Sequence, residues 1–104
     1  MERLLTLAEV KEFLEDAAKK RELTPEQRHA LEHAKTFAKI SAKKSRELVE
    51  ELKKLPFITE LNAYKIADIL PRHPDDLRAI FYKERYTLRE EDIQQVLEII
   101  EKYI

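Results

Sequence analysis

Two histidines set four residues apart raise the first question of chemistry in this chain. His29-Ala30-Leu31-Glu32-His33 has the H-x-x-E-H spacing of the inverted zinc-protease signature. On a helix, positions i and i+4 share a face, which is what chelation by two imidazoles requires. A catalytic zinc also needs a third protein ligand, and the remaining histidine, His73, lies far along the chain beside a proline. Lys35 and Lys39 follow closely and place positive charge where a second cation would have to bind. The pair reads as two surface histidines on a solvated helix, with no metal.

Carboxylate pairs are the other catalytic candidates. Asp75-Asp76 and Glu90-Glu91-Asp92 stand where helices are expected to begin, and the positive end of a helix dipole favours acids there. No nucleophile accompanies either group, so both read as capping and no catalytic residue is assigned. The chain has neither cysteine nor glycine. Without cysteine there are no disulfides, zinc ribbons or thiol chemistry. Without glycine there is no phosphate loop, dinucleotide fingerprint or nucleophile elbow, all of which need backbone that only glycine adopts readily. No cofactor and no small-molecule substrate is expected.

Cations offer binding instead of catalysis. Lys35, Lys39, Lys43, Lys44 and Arg46 follow one another with no acid between them. Such a run can neutralise phosphates and release counterions, giving salt-dependent contact with RNA whatever its sequence. It can equally be a solvated face balanced by Glu47, Glu50 and Glu51 just beyond. Arg78, Tyr82, Lys83, Arg85 and Tyr86 interleave cations with aromatics, a composition suited to stacking on single-stranded bases or to locking a helical corner.

Helices must position all of these groups. Thr6 with Glu9, Thr24 with Gln27, and Thr87 with Glu90 fit the capping-box pattern, and Ser41 and Thr59 can cap two more helices. Helices are therefore expected at about 7–22, 25–40, 42–55, 60–70, 74–84 and 88–103. Arg3-Leu4-Leu5-Thr6, ahead of the first helix, could form a strand if a second protein offered an edge. Leu7, Val10, Phe13 and Leu14 then make an apolar stripe. A lone helix of ~12–15 residues is marginal in water, so this arm must pack on something. The expected organisation is an N-terminal arm over 1–23 and a helical body over 24–104, a single all-α unit.

Composition agrees with that reading. Charged residues make up 39% of the 104, yet the formal net charge is −1, which argues for interspersed ion pairs over a polycation. High Lys, Glu and Arg with no cysteine is a hyperthermophile pattern. No apolar run approaches the ~20 residues of a membrane span, and a cytoplasmic location is expected.

The stretch from Lys65 to Ile93 is the most specific. KIADILP, then DDLRAIFYKERYTL, then an acidic helix resembles the F-type subunit of archaeal DNA-directed RNA polymerase, counterpart of the fourth-named subunit of eukaryotic polymerase II. The resemblance extends back through LTPEQRHALEHAKTFAKISAKKSRELVEEL and, more weakly, to LLTLAEVKEFLE, and so covers nearly the whole chain. Members of that family usually carry several more residues ahead of the LLTLAE segment. What the resemblance implies is a compact bundle like the helicase and ribonuclease D C-terminal (HRDC-like) fold, with no catalytic role. It further implies a stable heterodimer with the E-type subunit of the RNA polymerase, forming the polymerase stalk beside the RNA exit channel. On that view Leu4, Leu5, Leu7, Val10, Phe13 and Leu14 face the partner, and the basic run makes weak contact with nascent RNA. The competing function is a stand-alone HRDC-like nucleic-acid-binding module, which the near-neutral charge disfavours.

Elemental analysis after back-titration with zinc is expected to find no stoichiometric metal. A submicromolar one-to-one site lost in His29→Ala would restore the metal reading.

Overall fold

A computed structural model describes residues 4–82 and 87–104. Six helices follow in order: α1 (Leu7–Lys20), α2 (Pro25–Phe37), α3 (Ala42–Leu52), α4 (Glu60–Ile69), α5 (Pro74–Ile80) and α6 (Glu90–Glu101). No strand occurs among the described residues, which begin after Arg3, and Leu4 and Leu5 belong to no regular element. No helix among them is long and apolar enough to cross a membrane. Lys83, Arg85 and Tyr86, read above as part of a cation–aromatic cluster, lie outside the described residues.

Capping explains most of the helix starts. Thr6 and Thr24 each accept a hydrogen bond from the residue three ahead, and the Glu9 and Gln27 side chains return the bond to the threonine N–H. Ser41 and Thr59 do the first half alone, at 3.2 Å each. The last helix departs from expectation. It opens at Glu90, not at 88, with Arg89 at the cap and Thr87 uninvolved. The reason is Asp92, whose buried carboxylate accepts the Arg89 backbone N–H at 3.1 Å and also the Arg89 guanidinium at 3.3 Å. A charge-assisted acceptor held from both sides outcompetes a threonine hydroxyl. Helix ends fall two to three residues earlier than periodicity suggests for α1, α2 and α3.

Packing divides between two apolar clusters. Leu48, Leu52, Ile66, Leu77, Val96 and Ile100 form the centre of the larger one, drawn from α3 to α6. The smaller joins α1 to α2 through Leu14, Leu23 and Leu31, with Val10, Ala17 and Ala30 around them. α1 also packs along α3, so it lies between α2 and the larger core. The 23/24 boundary expected from sequence falls in the turn between α1 and α2. The result is elongated, 48 × 26 × 25 Å.

Among the described residues, one carries backbone strain. Leu70, just after α4, has φ 51° and ψ 62°, and its N–H closes the helix on the Ile66 carbonyl at 2.8 Å. Glycine ordinarily fills this left-handed position, and the chain has none. Pro71 bars the residue before it from the α region, and the Leu70 side chain is buried in the larger core. Burial therefore offsets a left-handed cost of about 1–2 kcal/mol. Replacing Leu70 by Ala should then destabilise more than replacing it by Gly, by about 1 kcal/mol, reversing the usual order within helices. Urea unfolding of both variants checks this, and a less stable Gly variant would remove strain from the account.

Candidate interaction surface

The N-terminus of α1 is held by polar groups from two other helices. Its first N–H, on Leu7, donates to the Asp68 carboxylate of α4 at 2.8 Å. The Thr6 and Ser45 hydroxyls meet at 2.7 Å, both buried. Each hydroxyl also has a second acceptor in reach, the Ala42 carbonyl for Ser45 at 2.9 Å and the Glu9 carboxylate for Thr6 at 3.3 Å, so either can donate across the pair. Further along, Glu12 accepts the Ala42 N–H at 3.0 Å and so supplies an acid to the start of α3, whose own first turn holds Lys43 and Lys44.

Arg46 is the centre of this arrangement. Its guanidinium donates twice to Glu9, at 2.6 and 3.0 Å, and once each to the Tyr64 hydroxyl and the Leu4 carbonyl. Glu50 adds a looser ion pair at 3.7 Å. The fork geometry of arginine is what lets one side chain serve α1, α4 and the residues ahead of α1 at once. Burial by itself would push the Glu9 carboxyl up. The Arg46 hydrogen bonds and the Thr6 N–H outweigh it and hold Glu9 below the usual range. Hydrogen bonding to Glu9 in turn raises the Arg46 guanidinium above its ordinary value. Asp68 moves the other way. Burial raises it, only partly opposed by the Leu7 N–H, and the nearby Glu9 charge adds to the rise.

The sequence-predicted residues now separate. Along the apolar stripe, Leu14 is 5% exposed and belongs to the α1–α2 cluster, while Leu7 and Val10 are half-buried. Leu4, Leu5 and Phe13 face outward at 44%, 42% and 64% exposed. The basic run likewise does not act as one group. Lys35 makes a long ion pair with Glu32 at 3.9 Å, and Lys39 donates to the Ile69 carbonyl at 3.0 Å. Lys43 and Lys44 lie at the start of α3, whereas Arg46 turns inward to Glu9. His33 lies against Phe37, ring centroids 4.7 Å apart. Among the described residues no three His, Cys, Asp or Glu side chains are grouped to hold a metal ion. Asp75 pairs with Arg78 at 3.0 Å within its own helix.

Nothing in spacing marks Arg46 as different from the lysines, or Asp68 as the cap of a helix sixty residues earlier. These ties join segments far apart in sequence, and their members are ordinary charged residues on amphipathic helices. Tyr64, beside Lys65 at the start of the KIADILP stretch, offers the one signal, since a tyrosine on a helix often buries its ring and leaves its hydroxyl for a partner.

Residues 4–104 match the family described as RNA polymerase Rpb4. The chain belongs to that family. It is also 45% identical over 103 residues to the DNA-directed RNA polymerase subunit Rpo4 of Methanocaldococcus jannaschii, covering 99% of this chain and 86% of that one. In this Rpb4-family chain the matched residues take in both α1 and the Leu70-Pro71 corner.

The opposite shifts of Glu9 and Asp68 give a signed pH profile. Glu9, lowered in the fold, adds stability above the usual glutamate range that is lost as pH falls through its native value. Asp68, raised in the fold, subtracts stability as pH rises from the usual aspartate range through its own raised value. Glu9→Gln should therefore flatten the acid limb of stability against pH and lower stability at neutral pH by about 1–3 kcal/mol. Asp68→Asn retains an acceptor for Leu7 and should be neutral or stabilising at pH 7. Urea unfolding across the pH range measures both, and an unchanged acid limb in Glu9→Gln would refute the assignment.

Proposed function

We propose that the chain is a non-catalytic stalk subunit of an archaeal DNA-directed RNA polymerase that pairs with the polymerase's E-type subunit. Membership of the RNA polymerase Rpb4 family over residues 4–104 is the observation that carries this reading. The outward-facing Leu4, Leu5 and Phe13 support it physically. Three large apolar side chains presented by one short segment are costly in water and are ordinarily covered by a partner. Leu7 and Val10 border them, and Leu14 supports α1 from within. Polymerase chemistry then belongs to other subunits, and this one contributes surface. RNA contact in the assembly falls to Lys35, Lys39, Lys43 and Lys44, since Arg46 is engaged by Glu9 and Tyr64. A few phosphate contacts of this kind give weak, salt-dependent binding in a path held mainly by the partner.

Calorimetry with the purified E-type subunit tests the reading. Phe13→Asp, and separately Leu5→Asp, should weaken association by at least about tenfold, because each places a charge in a dehydrated contact. The melting temperature of the isolated chain should barely move, since both positions are exposed. Leu14→Asp would instead unfold the α1–α2 pair. Unchanged affinity in both exposed variants would overturn the assigned interface.

A further inference from the structure

Away from α1, the end of α4, the turn after it and α5 enclose a groove of about 740 Å³. Leu70, in its left-handed turn, is buried in the core, while its predecessor Ile69, the last residue of α4, is 48% exposed. Ile69, Pro71, Ala79 and Ile80 give the groove an aliphatic lining, joined by Tyr82, which is 84% exposed. Lys39, Lys65 and Arg72 form the rim with His73, and Asp76 is the acid that lines it. Lys39 is fixed there by its bond to the Ile69 carbonyl. Among the described residues no carboxylate lies within ion-pair distance of Lys39, Lys65 or Arg72, whereas Arg46, Arg78 and Arg89 each have one.

Cations without a carboxylate partner around exposed aliphatic surface, in a chain where acids slightly outnumber bases, specify the complement. We infer that this groove docks a short acidic peptide segment of another protein, with an apolar anchor on Ile69 and Ile80 and flanking carboxylates paired with Lys39, Lys65 and Arg72. The volume suits an anchor and its neighbours, not a whole domain. Single-stranded nucleic acid fits less well. Its bases need π-faces to stack on, whereas most of the apolar lining is aliphatic, and among the described residues Tyr82 and His73 supply the rings. Charge complementarity across a rim sets encounter rate and partner choice, and the apolar lining supplies affinity. The groove does not depend on the proposed stalk pairing and is testable in the full chain alone.

The probe is a fluorescein-labelled peptide of roughly a dozen residues alternating Glu and Leu around one Phe, a length that spans such a groove in the extended or helical modes of peptide docking. Anisotropy should show saturable binding that weakens with salt. The double variant Lys65→Glu/Arg72→Glu should lose at least about tenfold in affinity, as should Ile69→Asp, and Lys43→Glu/Lys44→Glu should bind as the parent does. Matching thermal melts confirm that these exposed changes leave the fold intact. Absence of binding by the parent chain, equal binding by the Lys65/Arg72 variant, or tighter binding of an oligouridylate of the same length than of the peptide would each overturn the proposal.

Discussion

The contact between Glu9 and Arg46 governs more of this structure than any apolar contact does. Through Arg46 the first helix is joined to the third, and Tyr64 brings in the fourth. The second helix packs chiefly on the first, so its position relative to the larger core is inherited from this pair. An isolated ion pair that is partly buried ordinarily returns little net stability, because desolvation cancels much of the Coulomb attraction. Here both partners have their remaining hydrogen-bonding capacity met: Glu9 by the Thr6 N–H, and Arg46 by Tyr64 and the Leu4 carbonyl. That saturation is the condition under which a buried pair stabilises, and it also makes the pair specific to one docking geometry.

The absence of glycine is a second constraint on the same architecture. Every connection between helices must be made by residues with a side chain, so the usual glycine C-cap is replaced by other devices. α2 leaves into extended backbone at Ala38, α3 winds down through a tightened turn at Lys53, and α4 places a leucine in the left-handed region. Only the last costs energy locally, and there the side chain is recovered by the core. The strained corner and the groove meet at adjacent residues: Leu70 is buried, and Ile69 just before it is exposed.

How much of this is legible in the sequence depends on range. The Thr6 and Thr24 boxes are legible because both partners lie within one turn, and the α4 stop at Pro71 because proline acts on its immediate neighbours. The start of the last helix is misplaced by two residues for a related reason. Thr87-x-x-Glu90 is a valid local pattern, and only the burial of Asp92 decides against it. Long-range ties are invisible. Arg46 matches its neighbouring lysines in every sequence property, and Asp68 looks like a solvated residue on an amphipathic helix. The apolar stripe of α1 is legible as a stripe, but which of Phe13 and Leu14 turns inward cannot be set by a period of 3.6, since adjacent residues lie only about 100° apart.

That choice is made by the polar ties, and it explains how a small subunit can present apolar surface without burying it on itself. Hydrophobic attraction is non-directional, and left alone it would favour rolling α1 until Phe13, much the larger of the exposed groups on that helix, met the core. Hydrogen bonds have no such tolerance, weakening steeply with misalignment. Three of them fix the rotation of α1 at its first turn: Leu7 to Asp68, Thr6 to Ser45, and Glu9 to Arg46. A roll that buried Phe13 would break all three, taking these partners from two carboxylates in a part-buried setting and leaving Arg46 only its looser Glu50 pair and Tyr64, at a cost on the order of several kcal/mol. The gain from covering one phenyl ring is about 1.5–3 kcal/mol at most. Directional bonding therefore outweighs the drive to collapse, and Phe13 stays where another protein can reach it.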